Sequence, residues 1–373
     1  MTSIKTHDQT VLGNVHDQPE MLREAFARRS EIIEPFVRSF TSAPVKRVVF
    51  LGSGTSYNVS NIAAAYFTRL VGVEGVAPYP TEFMNYGVGL DPQHNDPQSV
   101  LVVGISQSGT SISTCEAMEW AKNQGYRTFA ITSDVTSKIT EIVTDVAPLL
   151  VGQELTGPET KGYTASILSI YLWAYSAAGA VGSLSENEVE AALQAAGTVC
   201  NDFDRVIAES EAWYDRNRPG LLHSSRINVL GYGIDYGTML EGTLKIAEML
   251  RVPTIGNLLE EHGHGPTYAL KFDHATLIVG SEEKEFERAL EFRRALPEYA
   301  PGTHVITCQD FDDADERDLV FSTKAGTYLA PLLYSVPMQF LSAKGGEDVY
   351  IDTDHNPVDI HLGHYEAERQ SGN

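Results

Sequence analysis

Hydrophobic positions change their period along this chain, and the changes predict its elements. From about Gln18 to Phe40 apolar residues fall at helical spacing, and "TSAPVKR" breaks the pattern. The next stretch, "RVVFLGSGTSYNVSNIAAAYFTRLVG", reads as a short β-branched run, a glycine turn and a helix. "SVLVVGISQSGTSISTCEAMEWAKNQG" repeats that unit, and "RTFAITSD" predicts a third strand ahead of "VAPLLVG". Strands alternating with helical segments imply a parallel sheet covered on both faces. The same order returns later. "RINVLGYGIDYGTMLEGTLKIAEMLRV" is strand, glycine turn and helix, and "ATLIVGS", "THVITCQ" and "DLVFST" follow as strands.

Placing Gly52 over Gly231 aligns "FLGSGTSY" with "VLGYGIDY" without a gap. The same offset sets Glu82 over Glu261 and Asn85 over His264; a shift of three sets Val103-Gly104 over Val279-Gly280. The expected fold class is α/β, with two tandem copies of a doubly wound parallel-sheet domain, an α-β-α sandwich. A helical segment over residues 1–40 precedes a first domain at 41–200 and a second at 201–355, with a tail at 356–373. The join is expected in the acidic helical stretch between about Gly182 and Arg226. "ASILSIYLWAYSAAGAVG" (Ala165–Gly182) carries no charge over about the length of a membrane span. Its Ala, Ser and Gly content and its lack of basic flanks predict a buried core or interface helix instead.

Composition narrows the partners. The chain has 373 residues with 27 Lys+Arg against 50 Asp+Glu, a formal charge of −23. That excess argues against nucleic acid or an anionic membrane, both of which need a basic face. An anionic small molecule stays open, because loops and helix N-termini bind phosphate against an unfavourable overall field. Three widely spaced cysteines show neither metal nor disulfide spacing, and "MTSIKTHDQT" lacks the apolar core of a signal peptide. A cytoplasmic protein is expected.

The densest candidate chemistry is "SQSGTS" (Ser106–Ser111), with "GSGTS" (Gly52–Ser56) beside it in type. Both follow strands, where backbone N–H groups and the next helix's positive end make an anion site. Hydroxyls and amides donate hydrogen bonds there without net charge, and a plain N-cap needs one hydroxyl rather than five. A dinucleotide reading of "GSGTSY" fails, since Ser56 and Tyr57 stand where a third glycine would fall. In the second copy, Glu241, Lys245 and Glu248 recur at i, i+4 and i+7, one helix face. The apolar Leu240, Leu244 and Met249 oppose them, so a core-packed helix with a specific polar stripe is expected. "EEHGHGP" follows at Glu260–Pro266. Glu can abstract a proton beside a carbonyl, and His can open a sugar ring. His262 and His264 lack further metal-ligand spacing, so neither metal nor cofactor is expected.

Taken in order, "GSGTSY", "SQSGTSIST", "PETKGYTAS", "LEGTLKIAEML" and "EEHGHGP" resemble the double SIS (sugar isomerase) proteins, over about Val45 to Pro357. That group includes the isomerase half of glucosamine-6-phosphate synthase and the fructosamine-6-phosphate deglycases. The resemblance implies two SIS-type, flavodoxin-like domains. It implies that Ser56, Ser106, Gln107, Ser108 and Ser111 hold a sugar phosphate, with Gly54, Thr55 and Glu241 lining the substrate. Glu248 matches the enolisation glutamate, Lys245 the helix lysine, and His264 the ring-opening histidine, which in such proteins comes from the partner subunit of a homodimer.

Three departures shape the expectation. Met1–Phe40 leaves no room for the synthase's glutaminase domain, so ammonia-dependent synthesis is not expected. The usual "SQSGET" is "SQSGTS" here, with Thr110 replacing an acidic residue. The tail has no covering lysine, and His361 and His364 are candidates for its place. The expected activity is C1/C2 enolisation of a sugar phosphate by a homodimer or higher homo-oligomer. A fructosamine 6-phosphate deglycase is favoured, with a phosphosugar isomerase or amino-sugar-phosphate deaminase as the alternative. A non-catalytic sugar-phosphate sensor is the reading from another class.

Overall fold

The computed structural model describes residues 10–90, 96–281 and 283–358. His361 and His364 lie outside the described residues.

Five parallel strands form the first sheet: β1 (Arg47–Leu51), β2 (Glu74–Val76), β3 (Val100–Ile105), β4 (Arg127–Thr132) and β5 (Asp145–Pro148). Their order is β2-β1-β3-β4-β5. The second sheet holds β6 (Arg226–Gly231), β7 (Thr254–Leu258), β8 (His274–Val279), β9 (Gly302–Thr307) and β10 (Leu319–Val320), again all parallel. Its order, β10-β9-β8-β6-β7, is the same topology in a second copy. Every residue of β3 and of β8 is buried, as the continuous apolar runs require of strands covered on both faces.

Strand register corrects the alignment of the two copies. Arg47 pairs with Val100, and Arg226 pairs with His274. With Arg47 equivalent to Arg226, the second strands therefore differ by five residues, not three. Gly104 then corresponds to Ile278, and Gln107 to Ser281. The sequence comparison matched a Val-Gly pair that the backbone places two residues apart.

By packing, the chain divides into two units, and the division is interleaved. The first-sheet unit comprises Glu24–Gly152, Ala165–Gln194 and the described part of Pro357–Asn373. The second-sheet unit comprises the described part of Met1–Arg23, Gln153–Thr164 and Ala195–Asn356. In the first-sheet unit, Phe36 stacks on Trp173 with ring centroids 4.3 Å apart, and the Trp173 indole N–H donates to the Ile32 carbonyl at 2.8 Å. Two helices, Val11–Ala27 and Arg29–Thr41, replace the single helix expected from Gln18 to Phe40. The uncharged stretch falls in helix Lys161–Ala180, which is buried along most of its length. Among the described residues no helix is long and apolar enough to cross a membrane. The acidic stretch forms one 37-residue helix, Glu186–Leu222.

The second-sheet unit carries a polar network in its interior. Gln18 donates to Gln339 at 2.8 Å and accepts from the Thr164 hydroxyl, and all three residues are buried. Glu154 secures the N-terminus of helix Lys161–Ala180. Its carboxylate accepts from Thr160 N, Thr160 Oγ1, Lys161 N and Gly162 N at 2.8–3.0 Å. Helix N-terminal N–H groups have no intrahelical partner, and a negative charge there also meets the favourable end of the dipole.

Candidate functional site

In the first-sheet unit the two hydroxyl-rich loops leave the carboxyl ends of β1 and β3. These adjacent strands are where the order of the sheet reverses. Crossovers on either side of such a point leave to opposite faces and open a crevice, the usual ligand position in open parallel sheets. The loops are tied together: Ser53 Oγ lies 2.9 Å from Ser113 Oγ and 3.3 Å from Thr114 Oγ1. Gly54 is exposed with φ 58°, while Thr55 and Ser56 are buried at the start of helix Thr55–Tyr66. Ser106 and Ser111 are buried, Gln107 half-buried and Ser108 exposed. The Gln107 carbonyl accepts from Ser133 N at 2.9 Å, Ser133 Oγ at 2.7 Å and Thr132 Oγ1 at 3.0 Å. The loop backbone is thus pinned to the end of β4. Ser111 is the N-cap residue of helix Ile112–Asn123, so the loop lies against that helix's positive end.

Gly109 explains why the loop has one glycine. Its φ is +67°, and a Cβ there would stand 1.8 Å from Ser137 Oγ. Gly109→Ala is expected to cost about 2–4 kcal/mol, from the left-handed backbone and the overpacking together. A denaturant titration of the variant beside the wild type measures it.

The second sheet keeps the geometry of this loop pair but fills it. With Arg47 equated to Arg226, Ser56 corresponds to Asp235, and with the five-residue shift of β8 against β3, Gln107 corresponds to Ser281. The fully buried Asp235 carboxylate accepts from Ser281 N at 2.8 Å and from Ser281 Oγ at 2.6 Å. The chain's own carboxylate therefore takes the donors that the first copy leaves at its strand ends. Asp235→Ala should lower stability by about 2–3 kcal/mol, the scale of hydrogen bonds to a charged group left without their acceptor. Loss of less than about 0.5 kcal/mol in chemical denaturation would contradict this.

Helix Tyr236–Lys245 follows and passes into a π-helical turn, Ile246–Leu250. Single π turns inside helices recur at functional sites. This one lets the Lys245 ammonium reach Glu248 Oε2 at 2.7 Å while standing 3.7 Å from Glu241 Oε1. Glu241 and Lys245 are buried, and the Glu248 side chain is 34% exposed. Burial pulls the ammonium's pKa down, but Glu241, Glu248 and Glu159 outweigh it and hold it above its ordinary value. The stripe thus faces inward, which corrects the expected packing. Leu240 and Leu244 are only half-buried, and of the three apolar residues Met249 alone is buried. A buried lysine ringed by carboxylates makes the polar face the inner one.

The turn ends at Arg251 with φ 57°, where the first copy's equivalent π turn (Phe67–Val71) ends at Gly72 with φ 78°. A non-glycine residue pays for that conformation only when its side chain is used. Here the guanidinium donates to the Asp352 carbonyl at 2.8 Å and the His355 carbonyl at 3.2 Å.

Sequence spacing missed two residues of this unit. Glu159, beside Lys245 and its carboxylates, has its pKa raised to about 8 by burial first and by Glu154 next, against the pull of Lys245. The buried Tyr163 hydroxyl donates to Thr238 Oγ1 at 3.2 Å. Both belong to "PETKGYTAS", whose place in the series was the available signal. His262 is buried and its pKa is lowered by desolvation, whereas His264 is exposed at the end of helix Leu259–Gly263. Among the described residues no hydrogen bond joins His264 to Lys245 or Glu248. The three cysteines are buried, and desolvation raises Cys115 and Cys308 to about 11 and Cys200 to about 12, which removes them as nucleophiles.

Residues 43–174 match the SIS domain family. Glutamine–fructose-6-phosphate aminotransferase (isomerizing) of Clostridium tetani is 21% identical over 345 residues, 90% of this chain and 55% of that protein. The chain spans about half the length of the curated relatives it matches. A provisionally assigned phosphosugar isomerase from Clostridium difficile 630 shares the fold with a TM-score of 0.83 at 24% identity, covering 94% of this chain and 96% of that one. Glucosamine-6-phosphate deaminase from Thermotoga maritima gives 0.71 at 20% identity, with 93% and 97% covered.

Proposed function

We propose that this chain, a SIS protein of the phosphosugar isomerase kind, moves a proton between C1 and C2 of an open-chain sugar phosphate. We further propose that its substrate is a fructosamine 6-phosphate. The observation that carries the reading is Glu248, partly exposed and held at 2.7 Å by the buried Lys245 ammonium. Proton abstraction beside a carbonyl needs a carboxylate fixed in place yet open to substrate. Lys245 stays protonated among its carboxylates, so it serves as an electrostatic anchor and not as an amine nucleophile.

The phosphate is assigned to Ser56, Ser106, Gln107, Ser108 and Ser111, with Gly54 and Thr55 at the same loop ends. Neutral donors and the helix end suit an anion on a chain of charge −23. His264 is assigned the opening of the sugar ring, and the two-copy chain is assigned to a homodimer. Glu248 takes the C1 proton of the ketoamine, giving the enaminol, and returns it to C2. The resulting aldimine adds water at C1 and releases amine and hexose phosphate. Without an amine on C1 the same transfer interconverts ketose and aldose. The names of the relatives, an aminotransferase, an isomerase and a deaminase, favour a step common to substrates with and without nitrogen.

The test is NMR in deuterated buffer with fructose 6-phosphate and with fructoselysine 6-phosphate. Deuterium at C1 of either sugar, with lysine released from the second, is the expected result. Exchange of fructose 6-phosphate alone would reduce the proposal to isomerisation. Saturable binding with no exchange would replace it by a sensor.

A further inference from the structure

Glu248 is held at two places. Its carboxylate meets the Lys245 ammonium, and its backbone carbonyl accepts from Arg251 Nε at 3.3 Å. Arg251 also closes the π turn, donating its own N–H to the Ile246 carbonyl at 3.0 Å. From there its Nη2 reaches the Asp352 and His355 carbonyls, in the strap that follows helix Ala330–Asp348. That strap is fixed independently of Arg251. Ile351 N donates to the Gly346 carbonyl at 2.8 Å, Val11 N donates to Asp354 Oδ1 at 2.7 Å, and His355 Nδ1 lies 2.9 Å from Asp352 Oδ2. Helix, strap and turn meet at Gly346, where a Cβ would clash with Thr353 Cγ2 and stand 2.9 Å from the Met249 carbonyl oxygen.

The first copy supplies the comparison. Its π turn, Phe67–Val71, has Arg69 at the position of Glu248 and Gly72 at that of Arg251. No proton transfer is assigned to that turn, and glycine takes its left-handed end without strain. Of the described residues other than glycine, only Arg251 and Tyr350 have a positive φ. Arg251 is exposed to water, so its three bonds to carbonyls add only modestly to stability. A strained residue with modest stabilising contacts, three positions from the assigned base, has its use in geometry.

We propose that Arg251 is a positioning residue for proton transfer: it ties the turn bearing Glu248 to the strap at residues 352–355 and so fixes where that carboxylate stands. The proposal rests on the reading of Glu248 as the base. Without the guanidinium, Lys245 still holds the carboxylate, but the backbone beneath it loses its second support. Misplacing a reacting group by about 1 Å lowers a rate by up to about 10²-fold. Phosphate binding, assigned to other loops, is untouched.

Arg251→Gly and Arg251→Asn test this. Both residues accept the left-handed conformation, and asparagine does so without glycine's backbone freedom. kcat and KM are read from C1 deuterium incorporation into fructose 6-phosphate. Both variants should lose about tenfold or more in kcat with KM within about twofold, and keep the wild-type melting temperature within about 3 °C. Wild-type kcat in Arg251→Asn would overturn the proposal, a slow Arg251→Gly then reporting backbone freedom alone. A larger fall in melting temperature in both variants would make Arg251 a structural residue and sink the proposal too. Amide hydrogen exchange, read by mass spectrometry without substrate, gives a measure independent of turnover. Residues 246–251 and 351–355 should lose protection together in both variants, by about fivefold or more. Unchanged protection, or loss in one segment only, would contradict the tie. If wild type does not exchange the probe at C1, the base assignment fails, and amide protection alone decides whether Arg251 holds the turn to the strap.

Discussion

Replacing Glu248 with Gln is expected to slow C1–C2 proton exchange about 10³-fold, within the range that positioned acid–base groups contribute, while sugar-phosphate binding stays within about threefold. The amide has nearly the shape of the carboxylate and can still accept from Lys245 at the 2.7 Å position. It cannot accept a proton from carbon. The phosphate is assigned to loops at the ends of β1 and β3, so the ground-state complex keeps its main polar contacts. Exchange by NMR and affinity by calorimetry separate the two effects. A variant that keeps turnover would remove Glu248 as the base; one that loses affinity in proportion to rate would make it a binding residue.

The largest expected effect on stability belongs to Lys245. Lys245→Met keeps length and volume but leaves the fully buried Glu241 without its counter-charge. Removing one partner of a buried pair costs about 3–5 kcal/mol, because the remaining charge stays desolvated. The double change Lys245→Met/Glu241→Gln should recover a large part of this, since it removes both charges and leaves a smaller hydrogen-bonding problem. Denaturant unfolding of the single and double variants gives the coupling directly. Equal stability of wild type and Lys245→Met would mean that Glu241 carries no charge in the folded protein.

Strand and helix periods made both sheets legible except at their thinnest edges. β2 and β7 escaped. β2 has three residues with a central glycine, β7 is half-exposed, and each borders only β1 or β6, so neither carries a continuous buried run. The loops at Gly52–Ser56 and Ser106–Ser111 were legible because their chemistry is local. Glu159 was not, since its charge matters only beside Lys245, far along the chain, and no spacing rule spans that distance. The inward direction of Glu241 and Lys245 was hidden for a related reason. Helical period assigns a polar face to solvent by default, and only a compensating cluster from residues 153–164 reverses it. Asp235 reads in sequence as a turn residue; register with Ser56 is needed to see that its carboxylate fills a donor set.

The interleaving of the two units has a genetic consequence. The chain changes unit after Arg23, Gly152, Thr164, Gln194 and Asn356, and three of those changes fall inside helices. No single break in the reading frame yields the second-sheet unit intact, because it draws on residues 10–23 and 153–164 as well as 195–356. A fragment beginning near residue 201 would encode Lys245 and Glu248 but omit Glu154, Glu159 and the Gln18–Thr164 contact. Gene truncation therefore cannot recover the second-sheet copy alone, and split-gene versions should regain that unit only when both pieces are expressed together. At the level of the coding sequence the dependence runs one way among the described residues, the second copy needing segments borne in the first copy's half.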